Sequence, residues 1–365
     1  MIDRRPSLRF GTGSRMLAVL LALGFTSLLI VVAGASPIES FRLLWEGSVG
    51  TSDKLANTLM TWVPLVLASA GLVVTFSAGL WNIGVEGQMM IGAVFASYVA
   101  RTLVFDPILQ IPVQILAAMV GGALWALLVG VLKTRLGVHE IFGGVALNAL
   151  ANVWSIFLIA GPWQPPEGGS AQSTAPFAEF TWMPPVSADY PVSLLALIIV
   201  AVVSVAVILA LRGTRWGLNL KATGKNPRSA LLLGVRTEQT ALSAFVVCGA
   251  LAGIAGAYRV LFTYHSLRPL VSGGIGFLGL LVVLLVSMRA LWVPFVTFAF
   301  AAILAGSTRL KVALQLDSSL AGVLQGLLVL LVLLFSGLRQ RVEERSHTPT
   351  EAADSPVPNE VGAHE

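Results

Sequence analysis

The chain has 365 residues, of which 56% are hydrophobic and only 11% charged. A soluble domain carries about 25% charged residues, so an ordinary water-soluble enzyme is excluded, and lipid is the solvent to reason in. The net charge of +5 then reads as loop charge rather than a nucleic-acid footprint, and one cysteine, Cys248, excludes an intramolecular disulfide.

The apolar residues come in runs of about 20, the length that crosses a bilayer as a helix. Ten such segments are predicted: 16–35, 56–77, 86–104, 111–132, 141–160, 191–211, 239–262, 273–288, 291–308 and 319–338. The predicted fold class is an all-α polytopic membrane protein of about ten transmembrane helices with both termini cytoplasmic. With that orientation sixteen of the 23 basic residues fall inside and seven outside, in agreement with the positive-inside rule. Two halves of five spans have opposite orientations, which is compatible with an inverted repeat of five plus five.

Residues 1–15 form a basic cytoplasmic segment, followed by a first span ending near Ala33-Gly34-Ala35. Its apolar stretch exceeds the ~7–15 residues of a signal core, so an uncleaved first helix is expected. The membrane-spanning body runs over 16–338, and the polar tail 339–365 is expected to be disordered. The stretch 162–190, with Pro162, Pro165, Pro166, Glu167 and Asp189, is expected as an outer loop.

Between the second and third spans lies Gly79-Leu80-Trp81-Asn82-Ile83-Gly84-Val85-Glu86-Gly87-Gln88. Irregular backbone at membrane depth must be buried in protein or line water. Glu86 is a functional candidate by default; alternatively it caps the third span's N-terminus, where a carboxylate is favoured. Farther on, Glu140 opens the fifth span, and Asn148 and Asn152 stand one turn apart on it. Such amides pair with neighbouring helices or border a pathway. Gly273, Gly274 and Gly276 precede the eighth span at a place corresponding to the opening of the third.

The basic stretch 212–238 is cytoplasmic in this topology. Asn226 followed by Pro227 is a helix start, and Gly234 can end that helix in a left-handed conformation. A helix of about two turns is unstable alone in water, so 226–234 must dock, with Ala230, Leu231 and Leu233 available. Gly224-Lys225 is no phosphate-binding loop, because that pattern needs Gly and Ser or Thr where Asn219 and Asn226 stand. Nucleotide chemistry must come from another polypeptide. The scattered histidines offer no metal-ligand spacing, no nucleophile–base arrangement is visible, and no cofactor is expected on this chain.

The loop resembles the cytoplasmic coupling segment of ABC importer permeases of the branched-chain amino acid, ribose and nucleoside group. Gly217, Lys221, Ala222, Gly224, Asn226, Pro227, Ala230 and Gly234 match its pattern, while Ser229 replaces the first of two paired alanines. Asn82, Ile83, Gly84, Glu86, Gly87 and Gln88 resemble the fuller signature of the nucleoside-importing branch. Glu140 with Asn148, and Gly274 with Gly276, extend the likeness. The resemblance implies a transport subunit of a bacterial inner membrane. It implies partners: cytoplasmic ATPases that use ATP and receive the helix 226–234, a second permease subunit, and an extracytoplasmic binding protein. It also implies that Asn82, Gly84, Glu86, Gly87, Gln88, Glu140, Asn148, Gly274 and Gly276 form a pathway or a structural signature. Simple sugars and branched-chain amino acids are the alternative substrates. An ion-coupled secondary transporter is the alternative class, disfavoured because charged residues mid-span are nearly absent; a scaffold without transport is a third.

Overall fold

A computed structural model describes residues 12–166, 172–187, 190–314, 319, 322–323 and 325–334. Most of the 1–15 segment, Glu167, Asp189 and the 339–365 tail lie outside them. Among the described residues the chain is helical, without strands. In order come α1 (Thr12–Val32), α2 (Pro37–Val49), α3 (Ser52–Ser77), α4 (Val85–Thr102), α5 (Pro107–Thr134) and α6 (Glu140–Ala160). Then come α7 (Leu194–Gly213), α8 (Arg215–Lys225), α9 (Pro227–Leu232), α10 (Thr237–Tyr258), α11 (Ile275–Leu285), α12 (Val293–Leu314) and α13 (Gln325–Leu334).

Among the described residues each of the ten apolar segments overlaps a helix, but six helices are long and apolar enough to cross a membrane. The number rises to seven if α1 and α2 are one bent span, their axes meeting at 109°. α11 differs most from expectation. Its eleven residues reach about 16 Å, roughly half of a hydrocarbon core of about 30 Å. α4 is too polar for the same test, because Glu86, Gln88, Ser97 and Arg101 interrupt it. The first three are buried in protein, so lipid does not dictate their polarity. α2 was not anticipated: Pro37 at its first position sets the helical φ, and charged Glu39, Arg42 and Glu46 mask it as a loop in the sequence.

Burial divides the helices. α3 and α10 are 78% and 72% buried over their apolar windows, α7 and α6 only 22% and 28%. α3 and α10 form the centre, with α4 and α5 against α10; α6 and α7 are left on the outside with apolar surface exposed. Small residues permit the centre. A Cβ on Gly253 would meet the Ala118 carbonyl oxygen at 2.1 Å, and one on Gly249 would meet that of Gly122 at 2.3 Å. Backbones in lipid gain by such approach, since dispersion rather than water exclusion drives helix association there.

The stretch between α6 and α7 lies against the loop after α10. Thr174, Phe177 and Met183 donate backbone hydrogen bonds to the carbonyls of Leu267, His265 and Leu261 at 2.8–3.1 Å.

Candidate functional site

α3 ends in a turn whose backbone amides are satisfied one by one. Gly79 N–H donates to Phe76 and Leu80 N–H to Thr75, both at 3.0 Å. Gly79 adopts φ +74°, a left-handed conformation that costs glycine little. Beyond it the chain crosses the interior as irregular backbone to α4, and side chains hold it there.

Asn82 and Gln88 form a reciprocal amide pair. Asn82 Nδ2 donates to Gln88 Oε1 at 3.0 Å, and Gln88 Nε2 donates to Asn82 Oδ1 at 2.9 Å. Asn82 Nδ2 also lies 3.1 Å from Cys248 Sγ on α10. Both amides are fully buried, where an unpaired one would cost several kcal/mol (roughly 2–7). Asn148 on α6 clamps the same stretch: its Nδ2 donates to the Ile83 carbonyl at 2.9 Å, and its Oδ1 accepts from Gly87 N–H at 2.7 Å. The glycines make room. A Cβ on Gly87 would lie 2.9 Å from Asn148 Oδ1, and one on Gly144 of α6 would lie 2.6 Å from Gly84 N.

Glu86 closes the arrangement from the other side. Its Oε1 accepts from Phe277 N–H at 3.1 Å. Gly276 lets α11 approach so closely that a Cβ there would lie 2.8 Å from the same oxygen. Gly274 caps α11 with φ +77°. The carboxylate therefore sits at the N-terminus of α11, where the helix dipole favours it. Glu86 also stands in the first turn of α4, behind the N-cap Gly84, so the carboxylate lies at the N-terminus of its own helix, as the capping alternative expects, and bonds the first turn of α11 as well. The Gly-rich openings of α4 and α11 thus meet each other.

Glu140 stands apart from Glu86. It pairs with Lys133 Nζ at 2.6 Å and is 5% exposed, so it ties the start of α6 to the end of α5. Asn152, one turn from Asn148, accepts from Leu270 N–H at 3.3 Å. The two carboxylates share no partner, and no group of three metal-ligating side chains occurs among the described residues.

The basic loop is two helices where one was expected. Thr214 caps α8 by accepting from Gly217 N–H at 3.0 Å. Gly217 lies flat on the end of α7, where a Cβ would be 2.2 Å from the Ala210 carbonyl oxygen. Lys221 Nζ donates to the Leu211 carbonyl, and Trp216 Nε1 to Ser243 Oγ at 2.9 Å. Ala222 accepts from Asn226 N–H at the far end. Gly224 rests on the end of α3: a Cβ there would lie 2.4 Å from the Ser77 carbonyl oxygen and 2.9 Å from Gly79 N. α8 therefore touches the turn that leads into Asn82.

α9 is shorter than 226–234 but built as expected. Asn226 Oδ1 accepts from Ser229 N–H at 3.1 Å, Pro227 takes the first position, and Gly234 follows at φ +83°. Ala230 turns inward, 2% exposed, while Leu231, Leu232 and Leu233 are exposed by 62%, 88% and 83%. Leu232 escaped the sequence reading, and no helical period marks three consecutive leucines as one exposed face.

A family model described as "Branched-chain amino acid transport system / permease component" matches residues 54–333. The chain is 27% identical over 330 residues to a glucose ABC transporter permease protein of Haloferax volcanii, covering 88% of this chain and 87% of that one. It is 26% identical over 325 residues to a guanosine ABC transporter permease protein of Bacillus subtilis, covering 87% and 91%. A nucleoside ABC transporter permease protein of Lactococcus lactis is 26% identical over 303 residues, covering 80% and 82%.

Proposed function

The chain belongs to the family of branched-chain amino acid transport system permease components, and from that premise we propose that it imports nucleosides as the membrane-spanning subunit of an ATP-driven transporter. As an ABC permease it is a transport component of a multi-pass membrane protein, not an enzyme. In this reading ten segments enter a bacterial inner membrane as an inverted repeat of five plus five, with both termini cytoplasmic, the eighth contributing the half-length helix α11. The direct meeting of α4 and α11 through Glu86 and Phe277 supports such a repeat, because those openings occupy corresponding places in the two halves.

The observation that carries the coupling reading is α9. A rigid six-residue helix, capped at both ends, presents three leucines that no described residue covers. A cytoplasmic ATPase subunit is the partner that fits an ABC permease. ATP binds there, and its closure on α9 moves the helix as a rigid body. α8 carries the movement inward, since Gly224 abuts the 77–79 turn. The segment held by Asn82, Gln88 and Asn148 is then displaced as a unit rather than deformed. A second permease subunit completes the route, and an extracytoplasmic binding protein docks on the loop after α6.

Of the two named roles for the signature residues, the structural one has the stronger support: Asn82 and Gln88 are spent on each other, and Asn148 and Glu86 on backbone groups. Nucleosides are favoured by the Glu86-Gly87-Gln88 likeness and by the guanosine and nucleoside permeases among the relatives. The glucose permease relative keeps a simple sugar as the second reading.

Uptake of radiolabelled guanosine, ribose, glucose and leucine into cells with and without this gene tests the substrate. Selective loss of guanosine uptake is expected; selective loss of another solute overturns the nucleoside reading. Leu232→Glu tests the docking surface. The variant should remain in the membrane at normal amount and lose co-purifying ATPase. Retention of the ATPase would remove α9 from the interface.

A further inference from the structure

A second polar region lies away from the Asn82 segment. α2 and α12 pack tightly, because a Cβ on Gly306 would be 2.4 Å from the Leu44 carbonyl oxygen. Between α12, α3 and the turn after α10 this leaves a cavity of about 770 Å³. Its walls include Lys54, Asn57 and Thr61 of α3, Arg259 and Thr263, and Arg309 of α12. Ser307 and Thr308 add two hydroxyls. Among the described residues no carboxylate lines it.

Three observations mark this cavity as a place for a ligand. First, its cations are poorly neutralised. Lys54 has no ion-pair partner among the described residues, and Arg309 reaches Glu46 only at 3.9 Å. Glu46 is already held by Arg42 at 2.7 Å. Arg259 is the better satisfied of the three: it donates to the Val271 carbonyl at 3.0 Å, lies 4.6 Å over the Tyr264 ring and feels the Glu86 carboxylate electrostatically. Second, Thr263 Oγ1 is buried without a hydrogen-bond partner, a position that costs free energy until something bonds to it. Third, α10 ends there in a π-turn, Arg259–Thr263. Wide turns of that kind are rare and concentrate at functional sites.

We propose that this cavity is the solute chamber of the transport route, and that it takes an uncharged or anionic solute dense in hydrogen-bond acceptors. The inference rests on the permease reading and sharpens its substrate class. Lys54, Arg309 and the Asn57 side-chain amide offer donors to carbonyl, ring-nitrogen and hydroxyl oxygen acceptors, which a nucleoside carries in number. The Thr61, Ser307 and Thr308 hydroxyls already donate to backbone carbonyls and remain as acceptors. A cation entering the chamber meets the like charge of Lys54 and Arg309, and no carboxylate stands among the described wall residues. The volume lies within the range of small-molecule sites, about 300–1,000 Å³. Met60 and Leu304 supply apolar wall for a flat ring.

The test uses the full chain in sheared membrane fragments, so that both faces are open to reagent. Cys248 is fully buried and gives a low background. Thr61→Cys and Asn57→Cys place one thiol in the chamber; Ala178→Cys, exposed in the loop after α6, is the reference. Each is reacted with an anionic and a cationic methanethiosulfonate of similar size. A cleft of one charge sign raises counter-ion concentration by about tenfold or more. After normalisation to the reference, the anionic reagent should therefore react faster at both chamber positions by about that factor. Guanosine should slow the reaction. Equal normalised rates, or no reaction at either position, overturn the chamber. Charge-selective reaction slowed by leucine and not by guanosine keeps the chamber and overturns the nucleoside reading.

Discussion

The segment around Asn82 and the cavity around Thr263 are both polar regions inside an apolar bundle, and they are built in opposite ways. Around Asn82 every amide has a partner: Asn82 with Gln88, Asn148 with Ile83 and Gly87, Glu86 with Phe277. Around Thr263 a hydroxyl has none, Lys54 has no ion-pair partner among the described residues, and Arg309 reaches Glu46 only at 3.9 Å. Satisfied networks hold one conformation rigidly; unsatisfied groups leave free energy for a ligand to release. The contrast assigns the motif-rich segment to architecture and the motif-poor cavity to binding.

The largest expected effect breaks the first side of that contrast. Asn82→Ala strands the Gln88 amide in a fully buried site and removes the contact to Cys248. Each stranded group costs about 1–3 kcal/mol, so a loss of about 3 kcal/mol is expected. Thermal melting of the detergent-solubilised protein should fall, and membrane content should fall with it. Normal melting combined with lost transport would instead make Asn82 a pathway residue.

Next in size is the joint between α8 and α3. Gly224→Ala drives a methyl into the Ser77 carbonyl oxygen, 2.4 Å away. Overpacking of this kind costs about 1–3 kcal/mol, relieved by moving α8 off the turn. Uptake should fall by about tenfold, 1.4 kcal/mol being a factor of ten, while α9 still binds its ATPase. Loss of ATPase co-purification would show that α8 only positions α9. Gly217→Ala is the control, since its clash is with α7 and not with the 77–79 turn.

A smaller effect separates charge from hydrogen bonding at Glu86. Glu86→Gln keeps an oxygen for Phe277 N–H and loses the carboxylate's interaction with the α11 dipole, about 0.3–1 kcal/mol. A melting shift of a few degrees and near-normal uptake are expected. A collapse of uptake without a matching melting shift would return Glu86 to the transport route.

Legibility followed the same divide. Asn226, Pro227 and Gly234 announced α9 because capping and left-handed turns demand those residue types locally. The ten apolar segments found their helices because lipid imposes length and composition. α2 was hidden: Arg42 and Glu46 pair within one turn of helix, and that pairing reads as a polar loop in sequence. The span expected at 273–288 is longer than α11 because Gly273 and Gly274 before it and Ser287 and Met288 after it take left-handed φ and are not helical. The chamber was illegible. Lys54, Arg259 and Arg309 are far apart in the chain and each reads alone as a span-end cation; only the fold brings them to one cavity.

The smallest effect lies at the outer edge of the same turn. His265 stacks on Trp182 with ring centroids 3.9 Å apart and planes at 23°, and its carbonyl accepts from Phe177 N–H at 2.8 Å. Burial pushes its imidazole below the ordinary value of 6.5. The unfolded loop thus binds a proton more readily than the folded one, and stability falls as pH drops from about 6.5 toward the folded value. Above that window both states are neutral and pH has no leverage through this residue. Arg259 and Arg268, both against Tyr264, add like charge nearby once the ring is protonated. Proteolytic nicking of 172–187 in the full chain should therefore rise by about twofold between pH 7.5 and 5.5, a modest figure because the ring is only partly buried. His265→Gln should abolish that rise. A pH dependence that survives the substitution would place the titrating group elsewhere and leave the stack as packing alone.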